Sequence, residues 1–215
     1  LIREILGRAE ELEAQGKSIV HMEIGRPDFD SPLCAKNKAI EAINNGNVHY
    51  TDMAGTFELR SAVAEKYRRE NNMDVDANKN IVITAGAMEA LTASFLTLLE
   101  PGDEIIIPTP YFSAYADELA IVGAKLVEVP TRMENGFRLE VSELEKAITK
   151  KTKAILLNTP NNPSGAVLTR KDLEAIAQLA IEHDIWVISD ECYEKFLYEG
   201  EHTSIASLPG MAERT

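Results

Sequence analysis

The hydrophobic pattern changes character near residue 80. From there on, short aliphatic runs without alternating polar positions are separated by stretches of helical periodicity. Continuous aliphatic runs are typical of strands that are buried on both faces of a parallel sheet. We expect such strands at residues 81–83, 104–107, 125–129, 154–157 and 185–188. Strands that alternate with helices predict an α/β fold of three layers (αβα) around a mostly parallel sheet.

Helical periodicity predicts the remaining elements. The chain opens in a helix, and a second helix ends near Asn44 after Ser31 as a candidate N-cap and Pro32 at its first position. A third begins near Thr56, and others are expected at 87–99, 113–122, 142–149 and 170–183. The apolar stripe of the third helix comprises Leu59, Ala62, Val63 and Tyr67, and that of the last comprises Leu173, Ile176, Ala177, Ala180 and Ile181.

Composition narrows the class of protein. The 215 residues are 45% hydrophobic and 27% charged, as in a soluble globular protein. The net charge of −13 argues against nucleic acid or an anionic membrane as a partner, because both are polyanions. Cys34 and Cys192 lie far apart and have no metal-binding spacing. With no secretory segment or long apolar span visible, they are expected to be reduced thiols of a cytoplasmic protein.

The residues that follow the predicted strands are the candidate site, because ligands of open α/β sheets bind at the carboxyl ends of strands. Gly86 opens the helix after the first strand, and a helix N-terminus suits a phosphate group. The segment is not Gly-x-Gly-x-x-Gly, so a dinucleotide site is unsupported. An ordinary strand-to-helix turn is the alternative.

Three other strand ends carry chemistry. Phe112 follows two prolines and could stack on a flat ring, or it could simply pack in the core. Asn162 lies in an Asn/Pro/Gly-rich turn and could offer its amide to a ligand, or only shape the turn. Asp190 ends a buried strand, where a carboxylate needs a partner; Tyr193 could reach the same ligand. Helix capping is the competing explanation for Asp190.

Together these segments resemble class I aminotransferases of pyridoxal-phosphate (PLP) fold type I. The resemblance covers essentially the whole chain, including His49–Arg60, and its most specific parts are Asn162–Gly165 and Ser189–Tyr193. It implies that residues 46–215 are part of the PLP-binding large domain, incomplete at the C-terminus. Residues 1–45 would contribute to the small domain and the substrate entrance.

The resemblance also implies a role for each site residue. The backbone amides of three residues would bind the cofactor phosphate: Gly86, Ala87 and Met88. Phe112 would stack on the pyridine ring. Asn162 and Tyr193 would donate hydrogen bonds to the phenolic oxygen of the ring, and Asp190 would pair with the pyridine nitrogen. Asp190 and Tyr193 are thus the expected catalytic residues of this chain, and no metal is expected.

Two positions in the first fifty residues acquire roles by the same resemblance. Tyr50 would contact the cofactor phosphate of a neighbouring subunit, which implies a homodimer; a buried loop tyrosine is the alternative. The backbone of Gly25 would meet the substrate carboxylate. Arg26 is expected to form a salt bridge or line the entrance rather than take part in catalysis.

The catalytic lysine of the family is expected beyond residue 215, together with the arginines that bind the cofactor phosphate and the substrate α-carboxylate. Lys195 is the lysine nearest to Asp190 in sequence, but a solvated surface position is expected for it. We therefore expect this chain to be a fragment that does not catalyse transamination alone. Strands that follow residue 215 would insert between the strands at 187 and 81.

The expected activity of the full-length protein is transfer of an amino group between an L-amino acid and a 2-oxo acid. A carbon–sulfur lyase or an enzyme similar to aminocyclopropane-carboxylate synthase remains an alternative, because the same cofactor contacts serve all of these reactions. A non-catalytic PLP-binding regulatory module is the alternative of another class. The sequence does not indicate which amino acid is the donor.

Overall fold

The computed structural model describes residues 2–22, 24–25 and 27–215, so the role expected of Arg26 lies outside the described residues. The chain forms two compact units, Leu1–Tyr50 and Thr51–Thr215. Within the described part of the chain, no helix is both long and apolar enough to cross a membrane.

The first unit contains two helices, α1 (Ile2–Ala14) and α2 (Leu33–Asn44), close to where periodicity predicts them. The prediction that Ser31 caps α2 is wrong. Pro32 occupies the N-cap position, and the backbone N–H of Ser31 donates instead to Asp30 Oδ1 over 2.7 Å. An N-cap hydroxyl must reach the N–H groups two or three residues further on, and Ser31 lies one residue too early to do so.

The second unit contains a sheet of four parallel strands. They are β1 (Glu104–Thr109), β2 (Lys125–Pro130), β3 (Thr152–Asn158) and β4 (Trp186–Asp190), in the order β2-β1-β3-β4. Asn158 at the end of β3 is in register with Asp190 at the end of β4. The carboxyl ends of β3 and β4 therefore lie side by side, at the same edge of the sheet.

The strand expected at residues 81–83 is not formed. The N–H of Ile83 donates to the carbonyl of Ala54 over 2.9 Å, and no described strand pairs with this segment. Ile81 is buried, but the Val82 side chain is 68% exposed. An aliphatic run reports a tendency to be buried, whereas a strand also needs a neighbouring backbone to hydrogen-bond with.

Helices cover both faces of the sheet, so the predicted αβα architecture is confirmed. One face carries α4 (Ala87–Leu98) and α5 (Ala114–Val122), and the other carries α6 (Val141–Ala147) and α7 (Arg170–Glu182). Alternate strand residues fill the two cores. Towards α4 and α5 point Ile105, Ile107, Ala154 and Leu156, and towards α6 and α7 point Ile106, Ile155 and Leu157.

Helix α3 (Phe57–Glu70) begins after Thr56, whose side chain accepts a hydrogen bond from the N–H of Leu59, but its predicted apolar stripe is partly wrong. Leu59 and Ala62 are exposed, whereas Arg60 is buried. The guanidinium of Arg60 donates to the carbonyls of Gly55 (3.1 Å) and Ala77 (2.8 Å). These bonds offset the free-energy cost of burying the charged guanidinium. Hydrophobic periodicity cannot predict them, because they depend on carbonyl groups elsewhere in the chain.

Helix α7 follows the sequence closely. Its N-cap Thr169 and Asp172 form a reciprocal capping box, and the predicted stripe is buried except for Ile181, which is 38% exposed. The capping box satisfies backbone donors that the first turn would otherwise leave unpaired.

Candidate functional site

The site is built around Asp190, the last residue of β4. Its backbone carbonyl accepts hydrogen bonds from Asn158 Nδ2 (3.0 Å) and from the N–H of Thr159 (3.2 Å). These two bonds join the end of β3 to the end of β4 at the carboxyl edge of the sheet. The position of the Asp190 carboxylate is set by the sheet rather than by a free loop.

The Asp190 carboxylate accepts hydrogen bonds from two directions. Oδ2 accepts from the hydroxyl of Tyr115 over 2.6 Å, and Oδ1 accepts from the N–H of Cys192 over 3.2 Å. Burial, together with the hydrogen bond to Asp190, raises the pKa of Tyr115 far above its ordinary value of 10.0. The same two causes raise the pKa of Cys192 to about 12. Both neighbours keep their protons at neutral pH, so each can act as a donor towards the carboxylate.

Asp190 does not cap an α-helix, but its side chain does accept a hydrogen bond from the turn that follows it. Oδ1 closes a tight turn through the N–H of Cys192, but residues 192–195, all described, form a turn and not an α-helix. Such side-chain-to-backbone bonds are common for Asp in turns and leave the rest of the carboxylate free to bind other groups.

Phe112 and Asp190 lie on the same side of the sheet, because both contact Tyr115. The Phe112 and Tyr115 rings meet edge to face, with their centroids 5.8 Å apart and their planes at 86°. Sequence reasoning missed Tyr115. One signal was available: Tyr115 follows Phe112 by only three residues. In the structure, its N–H donates to the Phe112 carbonyl in the turn that leads into α5.

Asn162 and Tyr193 also come together, although they are separated by 31 residues. Asn162 Nδ2 lies 3.3 Å from the hydroxyl of Tyr193. The N–H of Asn162 donates to Asn158 Oδ1 over 2.7 Å, which ties its turn to the end of β3. Asn161 accepts from the N–H and hydroxyl of Ser164 and fixes the same turn. Two hydrogen-bond donors are therefore held side by side at this edge.

The N-terminus of α4 lies at the same edge of the sheet. Leu91 and Phe95 of α4 pack on the sheet, and residues 99–103 return the chain to the start of β1, so α4 runs antiparallel to β1. Ala87 and Met88 begin the helix, where backbone N–H groups have no acceptor within the helix. The N–H of Gly86 (φ 85°) donates to the carbonyl of Thr84 over 2.8 Å. Of the three amides expected to bind phosphate, those of Ala87 and Met88 are therefore the better placed.

The remaining predicted residues are Tyr50 and Gly25, both in the unit Leu1–Tyr50. Tyr50 is fully exposed, so the alternative of a buried loop tyrosine is wrong. Gly25 lies outside the helices of that unit.

Lys195 occupies the surface position expected for it. Its side chain is 66% exposed, and Nζ forms an ion pair with Glu70 over 2.7 Å. The hydrogen bond to Glu70 raises the pKa of Lys195. A lysine that forms an imine or abstracts a proton needs the opposite shift, so Lys195 is unsuited to catalysis.

A polar cluster after β4 was not predicted. Glu191, Glu194 and His202 place their ligand atoms within 4.8 Å of one another. Each carboxylate is already bound by protein donors: Glu191 by His202 (3.0 Å) and two serines, and Glu194 by Lys66 and by Asn71 (2.8 Å). The cluster joins α3 to the turn that carries Tyr193. It depends on contacts between distant segments, so no local sequence signal could reveal it.

Comparisons with known proteins show the family of the chain. The family described as "Aminotransferase class I and II" matches residues 17–215. The chain is 50% identical over 204 residues to aromatic-amino-acid aminotransferase 2 of Thermococcus litoralis (94% of this chain, 52% of that protein). It is 49% identical over 206 residues to the aspartate aminotransferase of Pyrococcus abyssi (95% and 53%).

The solved structure of aspartate aminotransferase from Thermus thermophilus with maleate superimposes with a TM-score of 0.92 at 43% identity, over 96% of this chain and 54% of that one. The chain thus spans about half the length of the curated relatives it matches.

Proposed function

Because this chain belongs to the family of class I and II aminotransferases, we propose that the complete gene product uses PLP to transfer an amino group between an L-amino acid and a 2-oxo acid. The observation that carries the proposal is the cluster of Phe112, Tyr115 and Asp190 at the carboxyl edge of the sheet. It combines an aromatic face with a carboxylate that is held in place by neutral donors.

The residues at this edge match the cofactor group by group. The carboxylate of Asp190 suits a protonated pyridine nitrogen, since the hydrogen bonds from Tyr115 and from the N–H of Cys192 leave a lone pair on each oxygen free to accept. Asn162 and Tyr193, whose polar atoms lie 3.3 Å apart, suit a phenolic oxygen that accepts two hydrogen bonds. The N-terminus of α4 suits a phosphate, because free N–H groups and the helix dipole both favour an anion. The Phe112 ring suits the flat face of the heterocycle.

When bound, PLP supplies an electron sink for the charge that forms as the substrate loses its Cα proton. The part of Asp190 is to hold a proton on the ring nitrogen, because a nearby carboxylate favours the cationic form of a base. Asn162 and Tyr193 stabilise negative charge on the phenolic oxygen by donating to it. Phe112 fixes the plane of the ring and excludes water from one face. Lys195, held by Glu70 on the surface, takes no part in proton transfer.

We extend the proposal to the parts of the assembly that the family implies. Residues 1–45 contribute to a small domain and the substrate entrance, and residues 46–215 belong to the PLP-binding large domain. Gly25 meets the substrate carboxylate. Tyr50, whose side chain is fully exposed, reaches the cofactor phosphate of a second subunit in a homodimer. The protein acts in the cytoplasm.

The test is product analysis with the complete gene product and PLP. Amino acids of several classes, including aspartate and tyrosine, are each paired with 2-oxoglutarate, and the new amino and 2-oxo acids are quantified. We expect the two products in equal amounts. Release of pyruvate and ammonia would instead identify a lyase. Binding of PLP without any turnover would identify a regulatory module.

A variant at Asp190 tests the assigned chemistry. Asp190→Ala is expected to slow single-turnover Cα-proton abstraction by at least about a hundredfold, the scale for losing one preorganised electrostatic contact. Retention of PLP should change much less, because the phosphate and ring-face contacts remain. Asp117→Ala, which removes an exposed aspartate of the neighbouring helix α5, is the matched control. Equal single-turnover rates in wild type and Asp190→Ala would refute the role of Asp190.

A further inference from the structure

One deeply buried polar group at the site, the hydroxyl of Tyr115, has no assigned role in the proposed function. Tyr115 is 1% exposed, and its hydroxyl donates to Asp190 Oδ2 over 2.6 Å. A buried phenol needs a hydrogen-bond partner, but it could have found one at a backbone carbonyl. Here the hydroxyl instead donates to the carboxylate at the centre of the proposed cofactor site.

We propose that Tyr115 is a positioning residue that stabilises the ionised form of the Asp190 carboxylate and fixes its orientation towards the cofactor ring. The inference rests on the proposed function and goes beyond it by naming what controls the central carboxylate. The hydrogen bonds from Tyr115 and Cys192 occupy one lone pair on each oxygen, and the remaining lone pairs can accept from a cationic ring nitrogen. Two-point attachment, through Tyr115 at Oδ2 and Cys192 at Oδ1, fixes the rotation of the carboxyl group.

The hydrogen bond from Tyr115 to Asp190 influences where the proton between Asp190 and the pyridine nitrogen rests. A proton between a carboxylate and a pyridine can rest on the nitrogen or on the oxygen. A hydroxyl that donates to the carboxylate stabilises the ionised oxygen and therefore favours the proton on nitrogen. Tyr115 supplies such a hydroxyl.

Tyr115 cannot itself exchange protons with a substrate. It is buried, and its pKa is raised far above its ordinary value by that burial and by Asp190. The titratable groups that face it are Asp190, Cys192 and Tyr193, so no cation in this set would promote its ionisation. Its action on the reaction is therefore indirect, through Asp190.

Tyr115 also supports Phe112. The two rings meet edge to face at 5.8 Å, so the same side chain orients the ring-stacking residue and the carboxylate. Tyr115→Phe keeps this ring contact and the core packing and removes only the hydroxyl. The substitution therefore separates the hydrogen bond from the packing.

The first experiment follows the Asp190 carboxyl carbon by ¹³C NMR at neutral pH in the complete gene product without cofactor, with labelled aspartate and assignment by Asp190→Asn. Tyr115→Phe should move this resonance, because the carboxylate loses the donor at Oδ2. Tyr111→Phe is the matched control. Its hydroxyl donates to Glu128 over 2.8 Å and its ring stacks on Tyr115, yet it does not bond to Asp190. The control should leave the Asp190 carboxyl resonance in place.

The second experiment uses the complete gene product loaded with PLP labelled with ¹⁵N in the ring. Tyr115→Phe should move the ¹⁵N resonance towards that of an unprotonated pyridine and slow Cα-proton abstraction about tenfold to a hundredfold, the range for a lost charged hydrogen bond. A purely structural role would leave the ¹⁵N resonance in place. Failure of wild type to bind PLP would count against the proposed function instead.

A second variant guards against misfolding of Tyr115→Phe. Incorporation of 2,3-difluorotyrosine at position 115 leaves the shape almost unchanged and makes the hydroxyl a stronger donor. It should move the Asp190 carboxyl resonance in the direction opposite to Tyr115→Phe. The proposal is overturned if neither variant moves the Asp190 carboxyl resonance or the ring ¹⁵N resonance, or if Tyr111→Phe moves them equally.

Discussion

The contact between Gly55 and Ile83 gives the sharpest test of the packing around the site. Gly55 precedes α3 and has a φ of 90°, which side-chain-bearing residues rarely adopt. A Cβ added there would lie 2.6 Å from Cγ1 and 2.7 Å from Cβ of Ile83. The Cβ of Ile83 cannot rotate away, because it is attached directly to the backbone. The backbone of residues 81–85, which leads into Gly86, would have to move.

The expected cost of Gly55→Ala has two parts. An alanine at positive φ costs roughly 1–2 kcal/mol, because its Cβ approaches the following carbonyl oxygen. Overlap in a packed site typically adds about 1–3 kcal/mol. We therefore expect a loss of about 2–5 kcal/mol in the free energy of unfolding. Urea unfolding measures it, as a lower midpoint at unchanged slope.

Gly136→Ala separates the two parts. Gly136 has a φ of 69°, but nothing lies within 4 Å of the position its Cβ would take. This control should lose only the backbone part, roughly 1–2 kcal/mol. If Gly55→Ala were no more destabilising than Gly136→Ala, the close approach of Gly55 to Ile83 would be wrong. PLP affinity should fall only in Gly55→Ala, because Ile83 leads to the N-terminus of α4.

Three further predictions concern single side chains. Burial raises the pKa of Glu118 above its ordinary value of 4.5. The stability that Glu118 contributes is therefore fully present below pH 4.5 and is lost as the pH rises through its pKa in the folded protein. The free energy of unfolding, measured in urea at a series of pH values, should show this loss in wild type and not in Glu118→Gln. A fall that persists in Glu118→Gln would exclude Glu118 as its source. Thr169→Ala should lower the unfolding free energy by about 1–2 kcal/mol, because α7 loses its N-cap, and a loss near zero in urea would contradict the capping box. Lys195→Ala should leave the single-turnover rate of the complete, PLP-loaded gene product within about twofold, since an exposed ion pair contributes little, and a hundredfold loss would give Lys195 a catalytic role.

The sequence predicts the sheet well where burial alone determines structure. Residues 105–107 and 154–157 face packed helices on both sides, so their aliphatic runs identify the strands. Residues 81–83 have the same composition, but the N–H of Ile83 donates to the carbonyl of Ala54 and no described strand pairs with the segment. Pairing depends on which backbone lies alongside, and composition carries no information about that neighbour.

The candidate site shows the same division. Phe112, Asn162, Asp190 and Tyr193 could be found because they follow strands, and strand ends converge at one edge. Tyr115 could not be linked to Asp190, since 75 residues separate them and only the folded sheet brings them into contact. The buried Arg60 was missed for a similar reason. Its burial depends on two carbonyl groups, and periodicity treats arginine as a solvent-facing residue.

A crystal structure of the complete gene product with PLP would test the central claim most directly. We expect the ring nitrogen within hydrogen-bonding distance of the Asp190 carboxylate and the ring face on Phe112. We also expect the phosphate at the N–H groups of Ala87 and Met88. A cofactor bound elsewhere, or one whose ring nitrogen faces away from Asp190, would contradict the account.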